Sequence, residues 1–192
     1  MKGILVVYLT LFASCLFSQK IVLFDGSNLD NWVIPEDAHC WIVRDGILEV
    51  KSDEKKKGSN LWTKEKFVDF SISADFINVD GTIDSGFFLR SEKNQLQIGI
   101  SGSLKRDMTA SPYVVGKGYP VEATGVKDIL KANDWNNIKA EVRGKQIVAY
   151  LNGQKVMEYT TEEIPSEGPI GLQLHPGNEM TIIFKDIVLE KL

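Results

Sequence analysis

Polar and titratable side chains cluster in three short runs of this sequence. Gln173-Leu174-His175 alternates, which puts Gln173 and His175 on one face of a strand, opposite Leu172 and Leu174. In the run Asp84 to Arg90, the same period places Asp84, Gly86, Phe88 and Arg90 together. In the next run Gln95, Gln97 and Gly99 share a face. An antiparallel sheet often packs one face on the core and leaves the other free. Arg90, Gln95, Gln97, Gln173 and His175 are expected on such a free face. Amides, a guanidinium and an imidazole offer the donors and acceptors that sugar hydroxyls need. The plainer alternative is an ordinary solvent-facing sheet, with His175 a hydrogen-bonded histidine before Pro176-Gly177.

The elements that would position these residues are strands. Trp41–Arg44 and Ile47–Val50 flank Asp45-Gly46, and Ile147–Leu151 and Val156–Tyr159 flank Asn152-Gly153. Asp-Gly and Asn-Gly between apolar runs predict tight hairpins. Phe70, Ile72, Ala74 and Phe76 alternate with polar residues and face a core, as do Ile138, Ala140 and Val142. Thr181–Leu189 closes the chain as a long apolar strand. No window shows a sustained helical period. Short helical turns are expected near Val126–Leu130 and Glu162–Ile164. Many short strands with turns between them predict an all-β fold, a two-sheet sandwich or jelly roll. Lys51–Asn60 reads as a solvated loop. Leu104–Ala123 is a long segment holding Lys105, Arg106, Asp107, Tyr113, Tyr119 and Glu122; loops of this length are usually functional or disordered, and the tyrosines favour function.

The chain has 192 residues, 43% hydrophobic and 25% charged, which is enough for one globular domain and excludes disordered and multi-span membrane classes. A net charge of −4 argues against a nucleic-acid partner. Two histidines cannot make a three-histidine zinc site. There is no nucleophile elbow, phosphate loop, dinucleotide fingerprint, H-E-x-x-H or C-x-x-C. Asp80-Gly81-Thr82-Ile83-Asp84 could hold calcium but lacks the spacing of an EF-hand loop and reads as a turn. Among the four tryptophans, Trp62 is the one expected at the surface, where it could stack on a sugar.

Lys2, the uncharged run Ile4–Phe17 and then Ser18-Gln19 form the pattern of a secretory signal peptide. The run is shorter than the roughly 20 apolar residues of a spanning helix. Cleavage after Ser18 leaves a domain over 19–192, exported to the periplasm or beyond. Phe12-Ala13-Ser14-Cys15 also resembles a lipobox, so an anchor at Cys15 is the second route. Cys40, which remains in either case, reads as a small buried hydrophobe.

Several markers then occur in order. They are Leu23-Phe24-Asp25-Gly26, Leu29-Asp30-Asn31-Trp32, Asp84-Ser85-Gly86-Phe87-Phe88-Leu89-Arg90, Leu151-Asn152-Gly153, and Gly168-Pro169-Ile170-Gly171-Leu172-Gln173 with His175. Together they resemble the 3-keto-disaccharide hydrolase domain family over about residues 21–192. The resemblance implies a concanavalin-like jelly-roll sandwich of two antiparallel sheets, and an exported hydrolase acting on 3-keto-glycosides or related disaccharides. One departure stands out. Many members carry Glu-x-Gln where this chain has Gln95-Leu96-Gln97, and an amide binds a hydroxyl but cannot act as acid or base. A non-catalytic carbohydrate-binding or envelope module is therefore the alternative.

The chemistry that the resemblance implies uses the acidic C2–H of a 3-keto sugar. It needs a base and a donor for the enolate oxygen. His175 is the natural base, since an imidazole ordinarily titrates near ~6.5. Glu122 or Asp107 is the expected acid or second base. Arg90 or Lys105 would steady the enolate, with Gln95, Gln97 and Gln173 binding hydroxyls. The sequence commits to no cofactor, and a divalent metal stays open.

Overall fold

The computed structural model describes residues 19–192. The expected signal peptide and the lipidation at Cys15 fall on residues 1–18, outside the described residues.

Along the described chain run β1 (Lys20–Phe24), β2 (Trp32–Val33), β3 (Trp41–Arg44), β4 (Ile47–Lys51), β5 (Ser59–Thr63), β6 (Phe70–Gly81) and β7 (Asp84–Leu89). They are followed by β8 (Asn94–Gly99), β9 (Pro112–Val114), β10 (Asn136–Arg143), β11 (Gln146–Leu151), β12 (Gln154–Thr160), β13 (Ile170–Leu174) and β14 (Met180–Lys191). One helical turn, α1 (Val126–Ile129), forms where VKDIL predicts it. Glu162–Ile164 is a turn rather than a helix. Pro165 disfavours helical backbone at Ile164, and the Thr161 hydroxyl bonds the Glu163 carboxylate at 2.7 Å instead.

The strands form two antiparallel sheets, a jelly-roll sandwich. The larger sheet has the order β12-β11-β10-β6-β14-β4-β3, with β1 also paired to β14. The smaller has the order β2-β5-β13-β7-β8-β9. Between them lies the core. Phe70, Ile72, Ala74 and Phe76 on β6 are fully buried, as are Ile138, Ala140 and Val142 on β10 and Ile182 and Phe184 on β14. Leu61, Leu172, Phe87, Leu96 and Ile98 bury the facing side of the smaller sheet. The rings of Phe87 and Phe184 meet across the layers, with centroids 6.4 Å apart. Each of the buried Phe, Leu, Ile and Val side chains contributes roughly 1.5–3 kcal/mol by leaving water.

Register is set by tight turns. Arg44 pairs with Ile47 across Asp45-Gly46, and Leu151 with Gln154 across Asn152-Gly153. All four turn residues have positive φ, which is the type I′ geometry that those dipeptides favour. The chain between β8 and α1 folds back along the free edge of β8. There Gly99 N–H donates to the Thr109 hydroxyl at 2.8 Å, and Ala110 N–H to the Gln97 carbonyl at 2.8 Å. β7 and β8 are buried along their whole length.

Candidate functional site

The outer face of the smaller sheet is organised in rows. Direct pairing aligns Val33, Trp62, Gly171, Phe88, Gln95 and Tyr113 across all six strands. Two residues along each strand, the next row holds Asn60, Gln173, Gly86 and Gln97. Asp84 and Gly99 follow, with His175 just past the end of β13. Residues directly opposite share a face and touch. The rows therefore bring Gln95, Gln97, Gln173 and His175 together. Lys105, Tyr113 and Tyr119 arrive from the segment after β8. These residues line an open cleft of about 500 Å³ together with Asp84, Ser101 and the Pro176–Asn178 turn.

Hydrogen bonds tie the floor of the cleft together. Gln95 Nε2 donates to Gln173 Oε1 at 2.7 Å and to the Ser85 carbonyl at 3.3 Å. Gln97 Nε2 donates to Asp84 Oδ1 at 2.8 Å. The other carboxylate oxygen, Asp84 Oδ2, is buried and has no hydrogen-bond partner among the described residues. It lies 3.8 Å from His175 Nε2. His175 Nδ1 sits 2.7 Å from the Pro176 carbonyl. A carbonyl only accepts, so Nδ1 carries a proton, and the tautomer that acts as a base has its lone pair at Nε2. Taking up a proton at Nε2 would create a cation facing Asp84. Gly58 braces this turn from behind. Its φ is +74°, and a Cβ there would lie 2.6 Å from Pro176 N and 2.7 Å from the Leu174 carbonyl.

Tyr119 contributes a second proton-bearing group. Burial pushes its phenol above the usual range, and the Asp84 and Tyr113 charges push the same way. A hydrogen bond with Ser101 opposes them. The net effect keeps the hydroxyl protonated as a donor. Tyr113 braces it edge-on, with ring centroids 5.3 Å apart.

Three expected site residues lie elsewhere. The Arg90 side chain is fully buried and donates to the Gly144 carbonyl at 2.6 Å, the Pro165 carbonyl at 3.0 Å and Asp69 Oδ1 at 3.0 Å. The strand ends at Leu89 and Arg90 has φ +61°, so period-two counting fails one residue too late. Glu122 is exposed and bonded to Arg106 (Oε2 to Nη2, 2.7 Å), which holds its carboxyl below the usual range. Asp107 accepts from Thr109 N–H at 2.7 Å. Glu122 and Asp107 line a separate cleft against α1. Lys105 and Asp107, two residues apart, line different clefts. Asp84 and Tyr119 were not selected from sequence. The alternation that pointed to Arg90 also put Asp84 on the cleft face, and the long segment already stood out for Tyr113 and Tyr119.

Trp62 is half-buried at the surface, whereas Trp32 and Trp41 belong to the core. Cys40 is buried. Among the described residues, one group combines potential metal ligands at close range. It is His39, Cys40 and Asp53, and none of these lines the cleft.

No curated protein matches this sequence. Solved structures do. A candidate glycosyl hydrolase from Parabacteroides distasonis aligns over 91% of this chain and 100% of its own, at 22% identity and a TM-score of 0.69. A β-glucanase from Bacillus licheniformis aligns over 93% and 100%, at 15% identity and 0.64. The carbohydrate-binding module CBM66 from Bacillus subtilis aligns over 84% and 96%, at 17% identity and 0.55. These likenesses establish a concanavalin-like, glycosyl-hydrolase-like fold. The sequence model of the 3-keto-α-glucoside-1,2-lyase-like domain matches residues 19–190. The chain belongs to the 3-keto-α-glucoside-1,2-lyase-like domain family.

Proposed function

We propose that this protein is an exported enzyme that cleaves 3-keto-glycosides in the cleft, with His175 as the base. The observation that carries this reading is the proximity of His175 Nε2 to the unpartnered, buried oxygen of Asp84, 3.8 Å away. In the proposed reaction Nε2 takes the C2 proton of the sugar. The C2–H electron pair moves into a C2=C3 bond, placing charge on the C3 oxygen. Its return forms C1=C2 and breaks the bond from C1 to the leaving oxygen. Asp84 stabilises the imidazolium. Lys105 reaches the cleft as a cation for the C3 oxygen, and Tyr119 O–H supplies the proton that the leaving oxygen takes. Water then adds at C1, its released proton restoring the Tyr119 hydroxyl, while His175 returns a proton to C2, which completes net hydrolysis. The amides of Gln95, Gln97 and Gln173 bind hydroxyls. With Gln95 an amide, acid–base work falls to His175, Asp84 and Tyr119.

The test compares a 3-keto-disaccharide with its unoxidised parent, following products by mass spectrometry. Only the keto form should be cleaved, in deuterated water the product should carry deuterium at C2, and His175→Gln should lower kcat by about 10²–10⁴-fold. Full activity of His175→Gln would remove the assignment. Sugar binding without cleavage of either compound would favour a carbohydrate-binding module, for which the Gln95 departure is the motivating feature.

A further inference from the structure

The polar cleft occupies only part of the row that crosses the smaller sheet. Toward its β2 end the same row becomes apolar. Trp62 leans over Gly171 and stacks on Phe88, with ring centroids 5.3 Å apart and planes 19° from parallel. Gly171 makes this possible, because a Cβ there would lie 2.8 Å from two atoms of the indole ring. Beyond Trp62, Val33 and Ile34 are 52% and 51% exposed. The indoles of Trp32 and Trp41 are tied into the fold through the Leu23 carbonyl and the Ser59 hydroxyl. Trp62 instead keeps part of its surface in solvent.

We infer that Trp62, seated on Phe88 over Gly171, is a stacking platform that holds the second sugar ring of a disaccharide whose first ring lies in the polar cleft. Three features carry this. Gln173 and Gly171 are neighbours on one face of β13, so the platform and the amides are contiguous. From Gly171 to His175 is four residues of extended chain, roughly 13 Å, which suits two linked pyranose rings rather than one. The platform is flat and apolar, and the C–H face of a pyranose needs no hydrogen-bond partner there. An apolar surface adjoining a few convergent polar groups is the usual make-up of a small-molecule site. The inference rests on the proposed sugar substrate but not on cleavage.

Binding to catalytically disabled His175→Gln tests it separately from turnover. Maltose, cellobiose and glucose are titrated while tryptophan fluorescence and protein NMR shifts are followed. Adding Trp62→Ala should weaken the better disaccharide by about 10-fold, equivalent to about 1.4 kcal/mol, and leave glucose within about 2-fold. Trp62→Phe should recover much of the loss. Gly171→Ala should reproduce it by displacing the indole. Equal losses for disaccharide and glucose, no loss for either, or no disaccharide binding at all would each overturn the platform. A disaccharide-selective loss in a protein that cleaves nothing would support the platform while removing the lyase reading. Cleavage of a 3-keto-disaccharide with KM unchanged by Trp62→Ala would remove the platform and leave the enzyme.

Discussion

At the scale of single residues, Asp84 pairs function with cost. A buried carboxylate oxygen without a partner costs about 1–3 kcal/mol. Asp84→Asn keeps the Gln97 bond to Oδ1 and removes the buried charge. We expect Asp84→Asn to lower kcat by about 10-fold or more, because the imidazolium loses its counter-charge, while resistance to urea stays equal or rises by about 1 kcal/mol. If stability falls together with activity, Asp84 is a structural residue. Gly58 works on the same histidine through the backbone. Gly58→Ala adds a Cβ against Leu174 and Pro176 at a left-handed position, with a strain of about 1–2 kcal/mol. Chemical denaturation should show that loss, and the His175 imidazole resonances should shift in NMR. An unmoved histidine spectrum would uncouple the two. Asp84 and Arg90 also show what the residue pattern could tell. Both belonged to one alternating face, and only the backbone turn at Arg90 separates them.

At the scale of elements, the segment after β8 carries Lys105, Tyr113 and Tyr119 and is strapped to the turn before β13. Lys117 Nζ lies 2.7 Å from Glu163 Oε1. The hydrogen bond from Lys117, then that from Thr161, lowers the Glu163 carboxyl from 4.5 to about 2. A depressed folded-state value means that the strap contributes fully above the unfolded value and is lost as pH falls through the folded one. Hydrogen exchange across residues 112–119 should therefore accelerate as pH drops from about 4.5 toward 2, after correction for intrinsic rates. Glu163→Gln should show the faster exchange already at neutral pH, and unchanged exchange would mean that the strap holds nothing. Elements were legible where two local signals agreed. Asp45-Gly46 and Asn152-Gly153 had turn chemistry between alternating strands, and Val126–Ile129 its short helical run. Glu162–Ile164 had helical residues, but Pro165 and the Thr161–Glu163 bond decided otherwise. The split between Lys105 and Asp107, two residues apart but lining different clefts, has no local signature in the sequence.

At the scale of the whole molecule, the ring contact between Phe87 and Phe184 joins the two sheets. Phe184→Ala should cost about 3–5 kcal/mol, set against a total of about 5–15 kcal/mol for a domain. A large drop in the denaturation midpoint should follow, and a loss under 1 kcal/mol would place the inter-layer contact elsewhere. The sandwich itself was legible because Phe70–Phe76 and Ile138–Val142 alternate so regularly. The cleft was legible only as polar residues on strand faces, since the pairing of β13 with β7 joins residues about eighty positions apart. That pairing follows a wider order. β14, the last strand, sits between β6 on one side and β4 and β1 on the other. The larger sheet has a gap at its middle until that strand is delivered. Without β14 the β12-β11-β10-β6 ribbon would lose its link to β4 and β3, and β1 would have no partner, so the larger sheet would fall into two separate pieces while the smaller kept all of its pairings.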